Sequence, residues 1–269
     1  SETAPPGMLS RSECSRRDVE AKLPHKSGCY RASGSRVNAE GRESMSDLSE
    51  IRAVFFDLDG VLVDSRIAIP RSINFALGCQ GLVPGPEESL HRLIGAPLLQ
   101  AFREILESEA ADPGLAEACI GSYRERYRRT SLEETILIPG IEGPLRRLAG
   151  RYALGVVTAK PEAFARPILG KLGIVDCFDQ VAGPPLDPGR QETKTLTLKR
   201  AMEALGIEPG PLAAPAAMVG DRHFDVAAGR AMGLATVGVS WGIGSVSELR
   251  RAGADHIVNS PEELSQLFL

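Results

Sequence analysis

The 269-residue chain lacks the features that mark several common classes of protein. No run reaches 18 consecutive apolar residues and no signal-peptide stretch stands near the N-terminus, so we expect no membrane partner and a cytoplasmic location. Its five cysteines are an odd number without a C-x-x-C pair, which argues against a disulfide framework and a zinc site. The net charge is −4, and the part after residue 44 is more acidic still, so we expect no nucleic-acid partner.

The first 48 residues differ from the rest in composition. They are rich in Ser, Gly, Arg and Glu, and their apolar side chains follow neither the period of a strand nor that of a helix. We therefore predict that residues 1–48 are a disordered tail or an artificial extension.

From Ile51 onward, strand and helix patterns alternate. "IRAVFFDL" is an apolar run that ends in acids, as is typical of a central strand buried on both faces of a parallel sheet. Further strands are predicted at 152–158, 178–183, 216–221 and 235–240, with helices between them at about 161–172, 193–206 and 224–232. The fold class predicted is α/β, with a doubly wound parallel sheet.

Residues 66–138 interrupt this alternation. They contain amphipathic helical patterns without a strand between them, which predicts a helical cap inserted after the first strand. The α/β core would then comprise residues 49–65 and 139–269. Within the cap, "SYRERYRR" at 122–129 predicts a solvated helical face, and the alternative is a cationic rim that attracts an anionic substrate.

Polar side chains follow several predicted strands or open a predicted helix. They are Asp57 and Asp59, Thr158 and Lys160, Lys194, and Asp221 and Asp225. Ligands of an open α/β sheet bind outside the carboxyl ends of the strands, so we expect these groups to meet there. Clustered carboxylates repel one another unless a hard cation lies among them, and Mg²⁺ prefers such oxygens together with phosphate. The set favours phosphoryl transfer through a covalent aspartyl phosphate.

Other interpretations of these motifs are weaker. A calcium loop beginning at Asp57 would need ligands at its fifth and twelfth positions, where the chain has Val61 and Ala68. Asp225 could simply cap the helix that follows it, and it could do so while also serving a metal site.

Four motifs resemble those of the haloacid dehalogenase superfamily, within its phosphoglycolate phosphatase-like branch. They are "DLDGVLVDS", "VVTAK", Lys194 in "KTLTLKRAMEALG" and "VGDRHFDVAAGRAMG", and they stand in the family's order. The resemblance implies a Rossmann-like core and a Mg²⁺-dependent phosphatase. Two departures are that Thr195 stands where the third motif commonly has Pro, and Ala159 where many relatives have Asn or Ser.

The resemblance also implies a role for each site residue. Asp57 would be the nucleophile, and Asp59 the general acid and base whose backbone carbonyl also reaches the metal. Asp57 and Asp221 would be carboxylate ligands of Mg²⁺, with Asp225 in support. Thr158, Lys194, Lys160 and the backbone of Ala159 would bind the substrate phosphate.

The function predicted is hydrolysis of a small phosphomonoester, with phosphoglycolate as the first candidate substrate. A 5'-nucleotidase or a phosphomutase on the same scaffold is the alternative, and a non-catalytic binding protein is a third. The partner expected is a small phosphorylated metabolite, bound by a monomer or a homodimer.

Overall fold

The computed structural model describes residues 48, 50–186, 192–208 and 215–269. Apart from Leu48, the tail predicted at residues 1–48 lies outside the described residues. The elements up to the second connection of the cap are β1 (Ala53–Phe56), β2 (Val63–Asp64), α1 (Ala68–Cys79), α2 (Glu87–Leu90), α3 (Leu98–Ser108), α4 (Ala116–Glu134) and β3 (Ile136–Leu137), with 3-10 turns at His91–Leu93 and Pro113–Leu115. The elements that follow are α5 (Glu142–Ala149), β4 (Ala153–Val157), α6 (Glu162–Lys171), a 3-10 turn at Val175–Cys177, β5 (Gln180–Ala182), α7 (Lys194–Ala204), β6 (Ala216–Gly220), α8 (His223–Ala231), β7 (Ala235–Val239), α9 (Val246–Ala252), β8 (His256–Val258) and α10 (Pro261–Phe268).

Six parallel strands form the central sheet in the order β5-β4-β1-β6-β7-β8. In the centre, Phe56 pairs with Val156 of β4 and with Val219 of β6. The residues that follow these three strands therefore lie side by side at one edge of the sheet. The predicted α/β class and doubly wound parallel sheet are confirmed.

Apolar side chains cover both faces of β1. Val54 and Phe56 belong to one buried cluster, whereas Ala53 and Phe55 belong to another on the opposite face. A side chain at Gly155 of the neighbouring strand would place its Cβ 2.6 Å from the ring of Phe55. The ring thus fills the space that a larger residue at Gly155 would need, which fixes the packing of the two central strands.

The cap helices lie between β1 and β4 in the sequence, as predicted for an insert after the first strand. Helix α1 packs against α4, and α4 also contacts α6 of the core. The short antiparallel pair of β2 and β3 joins the two connections between cap and core. The boundaries at residues 66 and 138 remain a prediction.

A core arginine also holds the cap. The Nη1 group of Arg222 donates hydrogen bonds to the carbonyl oxygens of Arg92 at 3.1 Å and Ile94 at 2.8 Å, both in the cap. Its Nε group donates to Glu248 at 3.1 Å, so the guanidinium is fixed from the core side as well.

Across the described ranges, no helix is both long and apolar enough to cross a membrane.

Phe56 is the side chain on which we test this core. It is fully buried and its ring meets that of Phe178 edge to face at 6.3 Å, whereas Phe75 on α1 is 42% exposed. We expect Phe56→Ala to lower the free energy of unfolding by about 3–5 kcal/mol, because it removes buried apolar surface and leaves a cavity. Phe75→Ala should cost less than about 0.5 kcal/mol. Urea unfolding of both variants measures the difference, and equal losses would contradict this core.

Candidate active site

Three aspartates from different elements meet at the carboxyl edge of the sheet. Asp57 follows β1, Asp221 follows β6, and Asp225 stands in the first turn of α8. One carboxylate oxygen from each lies within 4.8 Å of the others, and all three side chains are buried. Parallel strand order thus brings Asp57 to two acids that lie more than 160 positions further along the sequence.

One ammonium group contacts this cluster. Lys194 is the first residue of α7, whose N-terminus is capped by the hydroxyl of Thr193 accepting from the backbone N–H of Leu196 at 3.2 Å. The Nζ atom of Lys194 lies 2.8 Å from Oδ1 of Asp57 and also contacts Oδ1 of Asp225. Within the part of the chain that the structure describes, a single ammonium group therefore makes the ionic contacts to this group of three carboxylates.

The pKa values show that this charge does not balance the cluster. The pKa of Asp57 is raised from 3.8 to about 8, because burial and the neighbouring Asp225 and Asp221 raise it more than Lys194 lowers it. Burial and then Asp225 raise the pKa of Asp221 from 3.8 to about 7. For Lys194, burial lowers the pKa, but Asp225 and Asp57 outweigh burial and the net shift is upward. An additional cation would allow the carboxylates to ionise together.

The oxygen atoms of the cluster fit a hard cation. Oδ2 of Asp221 accepts from the backbone N–H of Ile243 at 2.6 Å, while its buried Oδ1 has no hydrogen-bond partner within the described ranges. Oδ2 of Asp225 accepts from the N–H of Arg222 at 2.9 Å, so this residue caps α8 and faces the cluster with its other oxygen. An all-oxygen site with an unpartnered carboxylate oxygen suits Mg²⁺.

A glycine allows the loop after β1 to approach Asp221. Gly60 has a φ of +86°, and a Cβ at this position would lie 2.3 Å from Oδ2 of Asp221. Both the backbone conformation and the close approach require glycine here. The glycine of "DLDG" therefore shapes the acid cluster rather than merely ending a turn.

Asp59 lies beside the cluster but has different partners. Its Oδ1 accepts from the hydroxyl of Ser65 at 2.5 Å and from Nζ of Lys160 at 2.6 Å. Its carboxylate is not part of the three-acid group, so a metal contact through its backbone carbonyl remains a prediction. The two lysines predicted to bind phosphate thus contact different acids: Lys194 contacts Asp57, and Lys160 contacts Asp59.

The remaining predicted phosphate ligands lie at the end of β4, next to β1. Thr158 is buried and its hydroxyl accepts from the backbone N–H of Lys160 at 3.1 Å, while Ala159 is partly exposed. All the predicted site residues therefore lie at one edge of the sheet. His223, by contrast, is half exposed and contacts Glu248.

A cavity of about 820 Å³ lies between the cap and this edge. Asp59, Ala159, Lys160 and Lys194 line it on the core side. The cap side is mostly apolar and includes Ile69, Ile73, Leu93, Leu98, Ile120 and Tyr123. Such a volume is in the range of pockets that hold whole small-molecule ligands.

The prediction of a solvated face at 122–129 is wrong for its tyrosines. Tyr123 and Tyr127 are buried and line the cavity, because this side of α4 is turned towards the core. Buried positions recur every fourth residue along α4, at Cys119, Tyr123, Tyr127 and Ser131. This four-residue spacing is the sequence pattern that predicts a buried stripe on the helix. The arginines between these positions favoured the prediction of a solvated face instead.

Comparison with known proteins agrees with this fold. A family model described as "Haloacid dehalogenase-like hydrolase" matches residues 54–239. The chain therefore belongs to the haloacid dehalogenase-like hydrolase family.

Individual relatives define the branch. The 5'-nucleotidase of Pseudomonas aeruginosa is 35% identical over 216 residues, which are 80% of this chain and 94% of that protein. The phosphoglycolate phosphatase of Chromobacterium violaceum is 35% identical over 226 residues, or 82% of this chain and 98% of that protein. A crystal structure of a predicted phosphatase from Clostridium acetobutylicum has a TM-score of 0.73 at 34% identity and covers 81% of this chain and 97% of its own. Within the family, the chain is a phosphoric monoester hydrolase of the phosphoglycolate phosphatase-like branch.

The contact between Gly60 and Asp221 gives a test of the metal site. We expect Gly60→Ala to push against the Asp221 carboxylate and to weaken Mg²⁺ binding at least tenfold, measured by titration calorimetry. Gly140→Ala is the matched control, since Gly140 has a φ of +79° with nothing within 4 Å of a built Cβ. Both variants should lose about 1–2 kcal/mol of stability from the left-handed conformation. If Gly60→Ala bound Mg²⁺ as tightly as Gly140→Ala does, the acids described here would not form the metal site.

Proposed function

We propose that the protein hydrolyses a small phosphomonoester in a Mg²⁺-dependent reaction, through an aspartyl phosphate on Asp57. The observation that carries the proposal is the buried group of Asp57, Asp221 and Asp225, whose ionic contacts within the described residues come from the side chain of Lys194. Lys194, which contacts this group, lines the cavity beneath the cap, and Asp59 lines it too. Cytoplasmic location and a monomeric or homodimeric state remain predictions.

The three carboxylates of this group and the backbone carbonyl of Asp59 would hold Mg²⁺. When bound, the ion offsets the charge of the carboxylates and of the substrate phosphate. Lys194 holds Asp57 in place, since its ammonium group is 2.8 Å from Oδ1 of that residue. The hydroxyl of Thr158, the ammonium of Lys194 and the backbone of Ala159 bind the phosphate oxygens and stabilise the charge that develops on them.

Two carboxyl groups carry the chemistry. An oxygen of Asp57 attacks phosphorus, the bond from phosphorus to the ester oxygen breaks, and Asp59 gives its proton to that oxygen as the alcohol leaves. The ionised Asp59 then takes a proton from a water molecule, whose oxygen attacks the phosphorus of the acyl phosphate. Inorganic phosphate is released, and Asp57 is again a free carboxylate.

The cavity bears on the choice of substrate. Phosphoglycolate is one candidate, because the chain is similar to a phosphoglycolate phosphatase. A nucleoside 5'-monophosphate is the second, because the cavity of about 820 Å³ is larger than a two-carbon acid needs and its cap side carries Tyr123 and several apolar side chains. The similarity to a 5'-nucleotidase also supports this candidate. Comparison of phosphate release from the two esters decides between them.

Substitution of the two acids separates their steps. Asp57→Asn should form no phosphoenzyme, because the attacking oxygen is lost. Asp59→Asn should become phosphorylated by p-nitrophenyl phosphate, whose leaving group needs little protonation, and then hydrolyse the intermediate about 10²–10⁴ times more slowly. Intact-mass measurement after acid quenching detects the intermediate, and phosphate release with and without Mg²⁺ measures turnover.

The same stretch of sequence supplies the control. Asp64 lies seven residues after Asp57, but its carboxylate pairs with Arg66 at the surface, so Asp64→Asn should retain turnover. An acyl phosphate on Asp57→Asn, or undiminished turnover by Asp59→Asn, would refute the assignment. Dependence of turnover on a bisphosphate activator, without net phosphate release, would instead indicate a phosphomutase.

A further inference from the structure

Lys160 bridges the core and the cap. Its side chain is only 5% exposed, and its Nζ atom lies 2.6 Å from Oδ1 of Asp59. On its other side, the same Nζ atom lies 5.2 Å from the centre of the ring of Tyr127, a residue of cap helix α4. An ammonium group at this distance from an aromatic ring is attracted to it, and the attraction is stronger where water is excluded.

The ring of Tyr127 is itself held firmly. It is 1% exposed and stacks on Tyr123 with the ring centres 5.3 Å apart and 11° between the planes. Phe164 of core helix α6 meets it edge to face at 5.4 Å. Tyr127 therefore belongs to the cap but is packed against the core, and its position reports whether the cap is seated.

Only one of the two carboxylate oxygens of Asp59 accepts hydrogen bonds from the residues that the structure describes. Ser65, which lies where the chain passes from the core to the cap, and Lys160 both donate to Oδ1. Among the residues that the structure describes, none donates a hydrogen bond to Oδ2 of Asp59, although the residue lines the cavity. Two donors on one oxygen fix the plane of the carboxyl group and leave the other oxygen for a substrate.

We propose that Tyr127 is a positioning residue that acts through Lys160 to hold Asp59 in the orientation required for proton transfer to the leaving group. The inference rests on the proposed function, in which Asp59 is the general acid. It assigns Lys160 to the leaving-group side of the site, whereas Lys194 serves the nucleophile. When the cap moves away, Lys160 loses the ring and Asp59 loses the support of one of its two donors. Efficient proton transfer is thereby restricted to the state in which the cap is seated and water is excluded.

The test compares two substrates of similar size that differ in how much they need the acid. Phenyl phosphate releases a more basic oxygen than p-nitrophenyl phosphate does, so only phenyl phosphate depends strongly on protonation by Asp59. Rapid acid quenching gives the rate of phosphoenzyme formation on Asp57 for each ester. The ratio of the two rates reads out the positioning of the acid, and a general loss of folding or of phosphate binding does not change it.

Three variants separate the contributions. Tyr127→Leu keeps apolar bulk but removes the ring. It should slow phosphoenzyme formation from phenyl phosphate roughly tenfold or more, which is part of the rate enhancement that a general acid supplies. Its rate with p-nitrophenyl phosphate should change less than about threefold. Tyr127→Phe keeps the ring and should keep the wild-type ratio. Lys160→Met should shift the ratio as Tyr127→Leu does, and the double variant should add little, because the two residues act in series.

Leu106→Ala is the control for loss of cap stability. Leu106 is fully buried in the cap and does not line the cavity, so its truncation should lower the melting temperature without changing the ratio. An unchanged ratio in either Tyr127→Leu or Lys160→Met would overturn the inference, as would a loss in Tyr127→Phe equal to that in Tyr127→Leu. If Tyr127→Leu does not fold, the ratio measured in Lys160→Met decides whether the inference stands. If wild-type protein forms no phosphoenzyme on Asp57, the proposed function fails as well, which distinguishes the two failures.

Discussion

The burial of three carboxylates against one ammonium group is the constraint on which the rest of this structure depends. Asp57, Asp221 and Asp225 are held within 4.8 Å of one another, and the ionic contact to the group comes from Lys194 among the described residues. Like charges at this separation in a buried site oppose folding unless they are protonated or neutralised. The parallel sheet brings the acids together, and Gly60 leaves the space in which they approach. A group of acids that could hold a metal ion is thus built into the packing of the central strands.

Around this group the site divides into two halves. Lys194 contacts the acids, whereas Lys160 and Ser65 contact Asp59. In the proposed reaction, the first half would be the side on which phosphorus is attacked and the second the side on which the alcohol leaves. The first half is built from core elements alone. The second half also depends on α4 of the cap, through the ring beside Lys160. On this account, the contact between the cap and Lys160 links substrate selection by the cap to proton transfer by Asp59.

Much of this could be predicted from the sequence, because local patterns determine it. The apolar run ending at Asp57 marks a central strand, and the polar residues after successive strands must meet at one edge of a parallel sheet. The strands β2 and β3 are not predicted, since two residues carry no periodic signal, and the three-residue strand β8 is missed as well. The pairing of Lys160 with Asp59 joins residues 101 positions apart, and the contact with Tyr127 depends on how the cap is seated. No local pattern encodes such contacts.

The pH dependence of stability in the metal-free protein tests the central claim most directly. Asp57 has its pKa raised from 3.8 to about 8 and Asp221 from 3.8 to about 7, so the folded state holds protons that the unfolded chain releases. The free energy of unfolding from these groups should therefore fall as pH rises from about 4 to about 8, and level off above that. The difference in the free energy of unfolding between wild type and Asp57→Asn at each pH isolates this effect from other titrating groups. Mg²⁺ should restore the lost stability at the alkaline end of the range. A wild-type curve parallel to that of Asp57→Asn, with no stabilisation by Mg²⁺, would contradict the account.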